Sequence, residues 1–254
     1  MREPGADRLV PVPPSGRVFR GQRRVRFGDV SQRGRLRLDA LACYLQDLSS
    51  DDTADSGVED DIPWVVRRCV VEIYKPATFR DDLELATWCS GIGSRWAERR
   101  VTATSPSGAH IEAATLWVHV DVSSGRAVPL PSTFASVYGE AACGREISAR
   151  LQHGVEVPDD AERMQWNVRV ADIDMLGHVN NAATWALVEE VLAHRHDLTP
   201  PFRAELEYRL PIELGDDVRL AWSANDKGLR IWAMRETRDA ALDEVLASAR
   251  VLAL

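Results

Sequence analysis

Cysteine is scarce in this sequence, and no two cysteines lie close together. Only four occur in 254 residues, and none belongs to a C-x-x-C motif. This spacing argues against a zinc site, a thioredoxin-like redox site and a disulfide framework. We therefore predict no bound metal, reduced thiols that fill the core, and a cytoplasmic location. The four residues are Cys43, Cys69, Cys89 and Cys143.

Long apolar runs are also missing. No stretch approaches the roughly 20 apolar residues that cross a bilayer, and the first residues lack the apolar middle of a signal peptide. Hydrophobic residues nevertheless make up 45% of the chain, which is enough for a substantial core. We expect a globular protein without a membrane partner, preceded by a flexible tail over residues 1–16.

Positive charge is limited, and the formal net charge is −8. This balance argues against general nucleic-acid binding. The exception is the segment 17–37, which contains eight arginines and only one acidic residue, Asp29. Such a patch attracts acidic partners. The candidate docking residues are Arg20, Arg23, Arg24, Arg35 and Arg37.

Two common catalytic motifs do not occur. The sequence has no Gly-rich phosphate loop, so it predicts no nucleotide cofactor. It also has no Gly-x-Ser-x-Gly nucleophile elbow, which argues against a serine hydrolase of that kind. We predict that the protein works without a cofactor.

An internal repeat divides the chain into two halves. A shift of 143 positions aligns Val25-Arg26-x-x-Asp29-x-x-x-x-Gly34 with Val168-Arg169-x-x-Asp172-x-x-x-x-Gly177. Further along, a shift of 135 positions aligns Glu72-x-x-x-Pro76 with Glu207-x-x-x-Pro211. A repeat of this length indicates two copies of one structural unit. The eight extra residues of the first half fall near the acidic segment 51–57, which we predict to be a loop.

The pattern within each half predicts a strand, a turn, a helix and then further strands. Strands are expected at about 22–29 and 166–172, and apolar residues at helical spacing follow each turn. Alternating segments then predict an antiparallel sheet. The fold class is α+β, with one long helix packed on a sheet in each half. The halves are predicted at 17–139 and 165–254, joined by a linker at 140–164.

The second-half turn, residues 172–181, brings several chemically useful side chains to a strand-to-helix junction. The first N–H groups of a helix lack partners within the helix and stabilise a developing negative charge. His178 is placed to hold or protonate a reacting group, and Asp174 to orient it or to activate water. The alternative is that these residues only cap the helix. The first half has Ser31 and Arg35 at these two positions, and a cap is needed in both halves, so we favour chemistry.

The turn motif Asp-x-Asp-x-x-x-His-Val-Asn-Asn is followed about thirty residues later by Leu206-Glu207-Tyr208-Arg209. Together these motifs resemble the acyl-ACP thioesterases of plants and bacteria, over about residues 20–254. The resemblance implies a tandem hotdog fold, with a long helix wrapped by a curved antiparallel sheet in each half. It also implies hydrolysis of fatty acyl thioesters of acyl carrier protein, in fatty acid biosynthesis. Acyl carrier protein is then the acidic partner expected for the arginine patch.

The resemblance assigns roles to individual residues. It implies a catalytic acid, histidine and strand glutamate, a turn that polarises the carbonyl, and two substrate contacts. One departure is Leu176, which replaces an asparagine that the family carries two residues before the histidine. The implied residues are Asp174, His178 and Glu207 (catalytic), Gly177, Asn180 and Asn181 (turn), and Leu176 and Trp185 (substrate).

Alternative functions remain open at this point. A hotdog acyl-CoA thioesterase uses similar turns, and a non-catalytic acyl-thioester-binding protein is compatible with Leu176. A hotdog hydratase is expected to carry an Asn-Pro loop, and no Asn-Pro pair occurs. The acyl chain needs an apolar slot, for which Trp64, Trp88, Trp96 and Trp117 are further candidates. Both a monomer and a homodimer are compatible with a tandem fold.

Overall fold

The computed structural model of the protein describes residues 9–58, 64–121, 123–195, 198–225, 228–235 and 244–254. Within these ranges, no helix is both long and apolar enough to span a membrane. Residues 1–8 of the predicted tail lie outside the described residues. Val10 packs against the first half, because its carbonyl accepts a hydrogen bond from Arg100 Nε at 3.1 Å.

The first half consists of a long helix and a group of antiparallel strands. Helix α1 spans Leu38–Ser56. The strands are β1 (Phe19–Arg24), β2 (Trp64–Lys75), β3 (Asp82–Ile92), β4 (Trp96–Thr104) and β5 (His110–Asp121). The two-residue strand β6 (Arg126–Ala127) pairs with β5, and the short helix α2 (Ser132–Tyr138) follows.

The second half repeats this order with a shorter helix. A 3₁₀ turn at Ala183–Trp185 leads into helix α3 (Ala186–Ala193). The strands are β7 (Glu162–Trp166), β8 (Phe202–Tyr208), β9 (Val218–Asn225), β10 (Gly228–Arg235) and β11 (Glu244–Ala253). These helices and strands confirm the predicted α+β class.

The two halves share one antiparallel sheet, in the order β1-β3-β4-β5-β2-β8-β11-β10-β9-β7. Strands β2 and β8 meet at its centre, with Arg68 opposite Glu207 and Ile73 opposite Phe202. Outward from this pair, both halves contribute equivalent strands in the same order. The repeat therefore becomes an approximate two-fold symmetry about the β2–β8 junction.

Helices α1 and α3 pack on the same face of the sheet. Helix α1 buries Leu41, Leu45 and Leu48, at the spacing that the sequence predicts, and α3 buries Leu187 and Val191. These side chains form one core cluster with alternate residues of the strands from both halves. Each fully buried leucine or valine stabilises the fold by about 1.5–3 kcal/mol relative to exposure.

Helix α1 is longer than predicted. The acidic segment expected to be a loop is helical up to Ser56, and Gly57 ends the helix in a left-handed conformation with φ of +66°. Asp52, on the last turns, is buried and pairs with Arg17 at 2.7 Å and with Arg99. Arg17 and Arg99 therefore stabilise the helical form of the acidic segment, which the local sequence pattern does not predict.

Strands β1 and β7 end earlier than predicted. Each is followed by a 3₁₀ turn, at Phe27–Asp29 and at Val170–Asp172. In both turns the aspartate accepts the N–H of the residue three positions before it, at 2.7 Å in the first and 2.8 Å in the second. Strand β7 also begins earlier than predicted, at Glu162, which lies inside the segment predicted as linker.

The cysteine prediction holds for half of the residues. The free thiols of Cys69 and Cys89 are buried, whereas those of Cys43 and Cys143 are exposed. Cys43 lies on α1. The helical period turns its side chain away from the face that carries the core leucines.

Charged side chains are buried on the face of the β2–β8 pair that points away from the helices. Arg203 donates to Glu72 Oε1 at 2.8 Å and to Glu205 Oε1 at 2.7 Å. The chain between the halves covers this face, and His153 Nε2 lies 3.3 Å from Glu205 Oε2. Burial alone raises the pKa of Glu205, but the hydrogen bonds and positive charges of His153 and Arg203 outweigh it and lower this pKa to about 2.

We predict that Glu205→Gln flattens the acid branch of the stability curve. A carboxyl whose pKa falls from 4.5 to about 2 on folding stabilises the folded state above pH 4.5. This contribution is lost as the pH falls through about 2. Urea unfolding of both proteins between pH 7 and pH 2 measures the effect. Parallel curves for the two proteins contradict the assignment, since the other carboxylates titrate in both.

Candidate active site

The turn between β7 and the second-half helix is tightly folded. Gly177 has φ of +83°, a left-handed conformation that glycine adopts without strain. Its N–H donates to Asp174 O at 3.0 Å, and the Asp174 N–H donates to His178 O at 2.8 Å. The Gly177 N–H is therefore used inside the turn, which corrects its predicted place among the groups that polarise the carbonyl.

Asp174 has a structural role that the first half shares. Its Oδ1 accepts the N–H of Leu176 at 2.8 Å. At the equivalent positions of the first half, Ser31 Oγ accepts the N–H of Arg33 at 3.3 Å. Both halves thus cap the turn with a side-chain oxygen, but only the second half does so with a carboxylate. What distinguishes Asp174 is its negative charge and its second oxygen.

His178 lies beside an acidic residue that sequence reasoning missed. Its Nε2 is 4.0 Å from Oε1 of Glu213, with 43% and 60% of the two side chains exposed. The two residues face each other in an isolated antiparallel bridge, where the first half has Arg35 opposite Thr78. Only the second half places an acid opposite a histidine. Alignment of Glu213 with Thr78 in the repeat is the signal that identifies this position.

Asn180 and Asn181 begin the second-half helix and have different roles. Asn180 Oδ1 accepts the N–H of Ala182 at 2.8 Å, as helix-capping residues do. The carbonyl of Asn181 accepts the Tyr208 hydroxyl at 2.8 Å. Burial raises the pKa of Tyr208 well above its usual value, so this hydroxyl remains a neutral donor. Within the described part of the chain, no group accepts the N–H of Asn181.

In the first half, a carboxylate accepts a hydrogen bond from the N–H that is equivalent to that of Asn181. Glu189, on α3, accepts the N–H of Leu38 at 2.7 Å and forms a two-pronged ion pair with Arg35 at 2.8 and 2.7 Å. Leu38 and Arg35 are the repeat equivalents of Asn181 and His178. The start of α1 therefore binds a negatively charged oxygen supplied by the protein itself.

The repeat equivalent of Glu189 is Gln46, on α1. Gln46 and Asn181 line the same small cavity of about 20 Å³, which is room for about one water molecule. A neutral amide thus replaces the carboxylate on the side where Asp174 and His178 lie. The sequence signal for this difference is the change from acid to amide between positions 189 and 46, which the 143-residue shift aligns.

A larger cavity of about 320 Å³ lies in the first half, between α1 and the sheet. Gln46 and Trp117 line both cavities, so the two are adjacent. Apolar and aromatic side chains dominate the larger cavity, and α1 contributes hydroxyl groups. Among its lining residues are Ser49, Thr53, Trp64, Cys89, Phe134 and Tyr138.

The tryptophans predicted near the acyl chain separate into two groups. Trp64 and Trp117 line the larger cavity, and Trp185 lines the smaller one. Trp88 instead packs under the Arg100 guanidinium, and Trp96 Nε1 donates to Ile147 O at 2.8 Å in the covering segment. Leu176, the other predicted substrate contact, is 50% exposed on the turn, outside both cavities.

Buried cysteines do not supply a nucleophile. Cys69 lines the smaller cavity and Cys89 the larger, and burial raises the pKa of each thiol to about 11. A thiol with this pKa stays protonated near neutral pH. Across the described ranges, no group of three or more His, Cys, Asp or Glu side chains could hold a metal ion.

Glu207 does not join the predicted site. It is fully buried on the opposite face of the sheet, where its carboxylate accepts the N–H groups of Gln152 at 2.5 Å and His153 at 3.0 Å. Its neighbours Leu206 and Tyr208 face the helices, and side chains alternate along a strand. Glu207 therefore anchors the segment between the halves, and the structure does not bring its carboxylate to the turn of Asp174 and His178.

Two of the five predicted docking arginines are committed to internal ion pairs. Arg35 pairs with Glu189, and Arg37 pairs with Asp39 at 2.9 Å. Arg23 also has a partner, Asp51 at 2.6 Å. Arg20 and Arg24 are exposed on the edge strand β1 and remain docking candidates, and Arg24 also lies 3.5 Å from the exposed carboxylate of Asp82.

Two sheet-and-helix halves in one antiparallel sheet, with an acid-and-histidine turn at the start of one helix, define a double hotdog fold of the thioesterase kind. Family models agree with this class. The N-terminal domain of acyl-ACP thioesterases matches residues 16–138, and their C-terminal domain matches residues 155–249. The chain belongs to the acyl-ACP thioesterase family, which consists of thioester hydrolases.

Individual proteins resemble the chain over most of its length. Protein Rv2001 of Mycobacterium tuberculosis, described as uncharacterized, is 29% identical over 225 residues, which cover 88% of this chain and 89% of that protein. The 12:0-ACP thioesterase from Umbellularia californica superimposes with a TM-score of 0.75 at 19% identity, covering 92% of this chain and 96% of that one. An acyl-ACP thioesterase from Bacteroides thetaiotaomicron gives 0.71 at 18% identity, covering 92% and 97%. At these identities, the solved structures establish the shared fold.

We predict that Asp174→Ser separates the two roles of this residue. Serine supplies the turn cap, as Ser31 does in the first half, but it carries no charge. The variant is expected to keep the unfolding midpoint of the wild type and to lose thioesterase activity by about 10²-fold or more. Asp174→Ala is the matched control, since it removes cap and charge together and should lower the midpoint as well. Near-normal activity of Asp174→Ser contradicts a catalytic role for the carboxylate.

Proposed function

We propose that the protein hydrolyses the thioester of acyl-ACP to a free acid and holo-ACP, with the reaction centred on the start of the second-half helix. The observation that carries this proposal is the contrast between Glu189 and Gln46. The first half binds a carboxylate oxygen on the Leu38 N–H. The second half leaves the equivalent Asn181 N–H facing a small cavity, where the oxygen of a substrate carbonyl fits.

The carbonyl oxygen gains negative charge when water attacks the thioester carbon. The Asn181 N–H, at the positive end of the helix dipole, stabilises this charge. The acyl chain extends from there through the junction at Gln46 and Trp117 into the larger cavity. This path uses both halves, since the turn belongs to one and the cavity to the other.

Proton transfer is assigned to the charged groups of the turn. The Asp174 carboxylate accepts a proton from the attacking water, and a new C–O bond forms. The C–S bond then breaks, and His178 donates a proton to the departing sulfur. The Glu213 carboxylate, with Oε1 4.0 Å from His178 Nε2, is placed to orient the imidazole ring.

The finer assignments of partner and location rest on the sequence. Acyl carrier protein docks through Arg20 and Arg24, which the fold leaves exposed. The exposed free thiols of Cys43 and Cys143 fit a reducing, cytoplasmic compartment, where fatty acid biosynthesis provides acyl-ACP.

We predict that His178→Ala lowers hydrolysis of acyl-ACP by about 10²-fold or more, because the leaving thiolate loses its proton donor. Release of free thiol from acyl-ACP and acyl-CoA of the same chain length measures the reaction and the preference for the carrier. Glu207→Gln is the matched control, since this buried glutamate lies on the other face of the sheet. An unaffected His178→Ala variant refutes the site, and a wild type inactive on both carriers refutes the function.

We further predict that Gln46→Glu blocks the site. The new carboxylate would accept the Asn181 N–H beside His178, as Glu189 accepts the Leu38 N–H beside Arg35 in the first half. Loss of one oxyanion donor costs about 10²–10³-fold in kcat. Steady-state kinetics with Asp47→Asn, an exposed neighbour on α1, provide the control. If Gln46→Glu retains full activity, the carbonyl does not bind at Asn181.

A further inference from the structure

The larger cavity contains two buried polar atoms without hydrogen-bond partners. They are the hydroxyl of Tyr138 and Nε1 of Trp117, and both residues line the cavity. Tyr138 is only 2% exposed. Most buried polar atoms in proteins are paired, because leaving a donor unpaired is destabilising. A third such atom, Arg209 Nε, lies on the far face of the sheet beside Glu207.

Both side chains are held in place by their neighbours. The Tyr138 ring lies between Phe134, 4.8 Å away between ring centroids, and the Arg99 guanidinium, 5.4 Å from the ring centroid. Trp117 belongs to the central region of β5, paired with Val66 and Ala97 on either side. The unpaired donors are therefore fixed features of the cavity wall.

The opposite wall, on α1, supplies hydrogen-bond acceptors. Ser49 Oγ donates to Leu45 O at 2.8 Å, and Thr53 Oγ1 donates to Ser49 O at 2.9 Å. Each hydroxyl has used its hydrogen inside the helix, so it can only accept a further bond. The cavity thus combines donors on the sheet and α2 with acceptors on α1. Its other polar lining residues include Gln46, Glu98 and Arg99, of which Glu98 pairs with Arg145 and Arg99 with Asp52.

We propose that the acyl chain taken by this protein carries a hydroxyl group. A plain alkyl chain leaves Tyr138 and Trp117 unpaired, whereas a hydroxyl accepts a bond from one wall and donates to the other. Trp117 lines both cavities, so it lies nearer the thioester, and Tyr138 lines only the larger one. This inference rests on the proposed function, because it assigns the larger cavity to the acyl chain.

The test compares two acyl-ACP substrates of equal length, one plain and one hydroxylated, with the hydroxyl moved along the chain in a series. At the best position, the wild type is expected to favour the hydroxylated chain by about 10-fold in kcat/KM, the effect of one buried hydrogen bond. Tyr138→Phe and Trp117→Phe remove the donors and keep a ring. At least one of them should reduce this ratio to about one.

Val58→Ala is the matched control, because it alters an apolar side chain that lines the same cavity and removes no polar atom. It should change kcat/KM for both substrates alike and leave their ratio as in the wild type. A wild type that shows no preference at any hydroxyl position overturns the inference. So does a preference that survives both Tyr138→Phe and Trp117→Phe.

Binding of free fatty acids separates this inference from the proposed reaction. Calorimetry with hydroxylated and plain acids of equal length reports on the cavity without catalysis. Preferential binding that is lost in Tyr138→Phe or Trp117→Phe supports the inference even if no thioester is hydrolysed, in which case only the proposed reaction fails. Hydrolysis of plain and hydroxylated chains at equal rates leaves the reaction standing and overturns the inference.

Discussion

The pairing of β2 with β8 is the constraint on which the rest of the structure depends. It joins the two halves into one sheet and places both helices side by side on the same face. The approximate two-fold symmetry then brings the start of each helix against the middle of the other. Two equivalent places result, each formed by a turn from one half and a helix side chain from the other.

The two places differ in charge, and this difference assigns them different roles. In the first half, Arg35 and Glu189 neutralise each other, and the carboxylate satisfies the helix N–H. That arrangement contributes to stability, since charge-assisted hydrogen bonds are the stronger kind. In the second half, no described group accepts the corresponding N–H of Asn181, and Gln46 and Asn181 line a small cavity. One copy of the repeat therefore binds the halves together, and the other copy is suited to chemistry.

Charge buried on the opposite face of the sheet has a separate purpose. Glu205 and Glu207 bind the segment between the halves through His153 and backbone N–H groups. Buried carboxylates are costly unless every oxygen is paired, and here the covering segment supplies partners. The molecule thus has two polar regions, a buried one that holds the linker and a partly exposed one at the proposed site. The motif Leu206-Glu207-Tyr208-Arg209, which resembles a family signature, lies in the region that holds the linker.

Sequence alone determined the repeat, the α+β class, the helix faces and the turn at Asp174 and His178, because apolar periodicity and local turn residues encode these features directly. Tertiary structure decided what depends on contacts between distant residues. Arg17 and Arg99 extend α1 through the acidic segment, and the β2–β8 register turns Glu207 away from the site. The joining of the halves also sets Gln46 against Asn181, whereas an isolated bridge within the second half sets Glu213 opposite His178. No local pattern contains this information, since each pair joins residues that are far apart in the sequence.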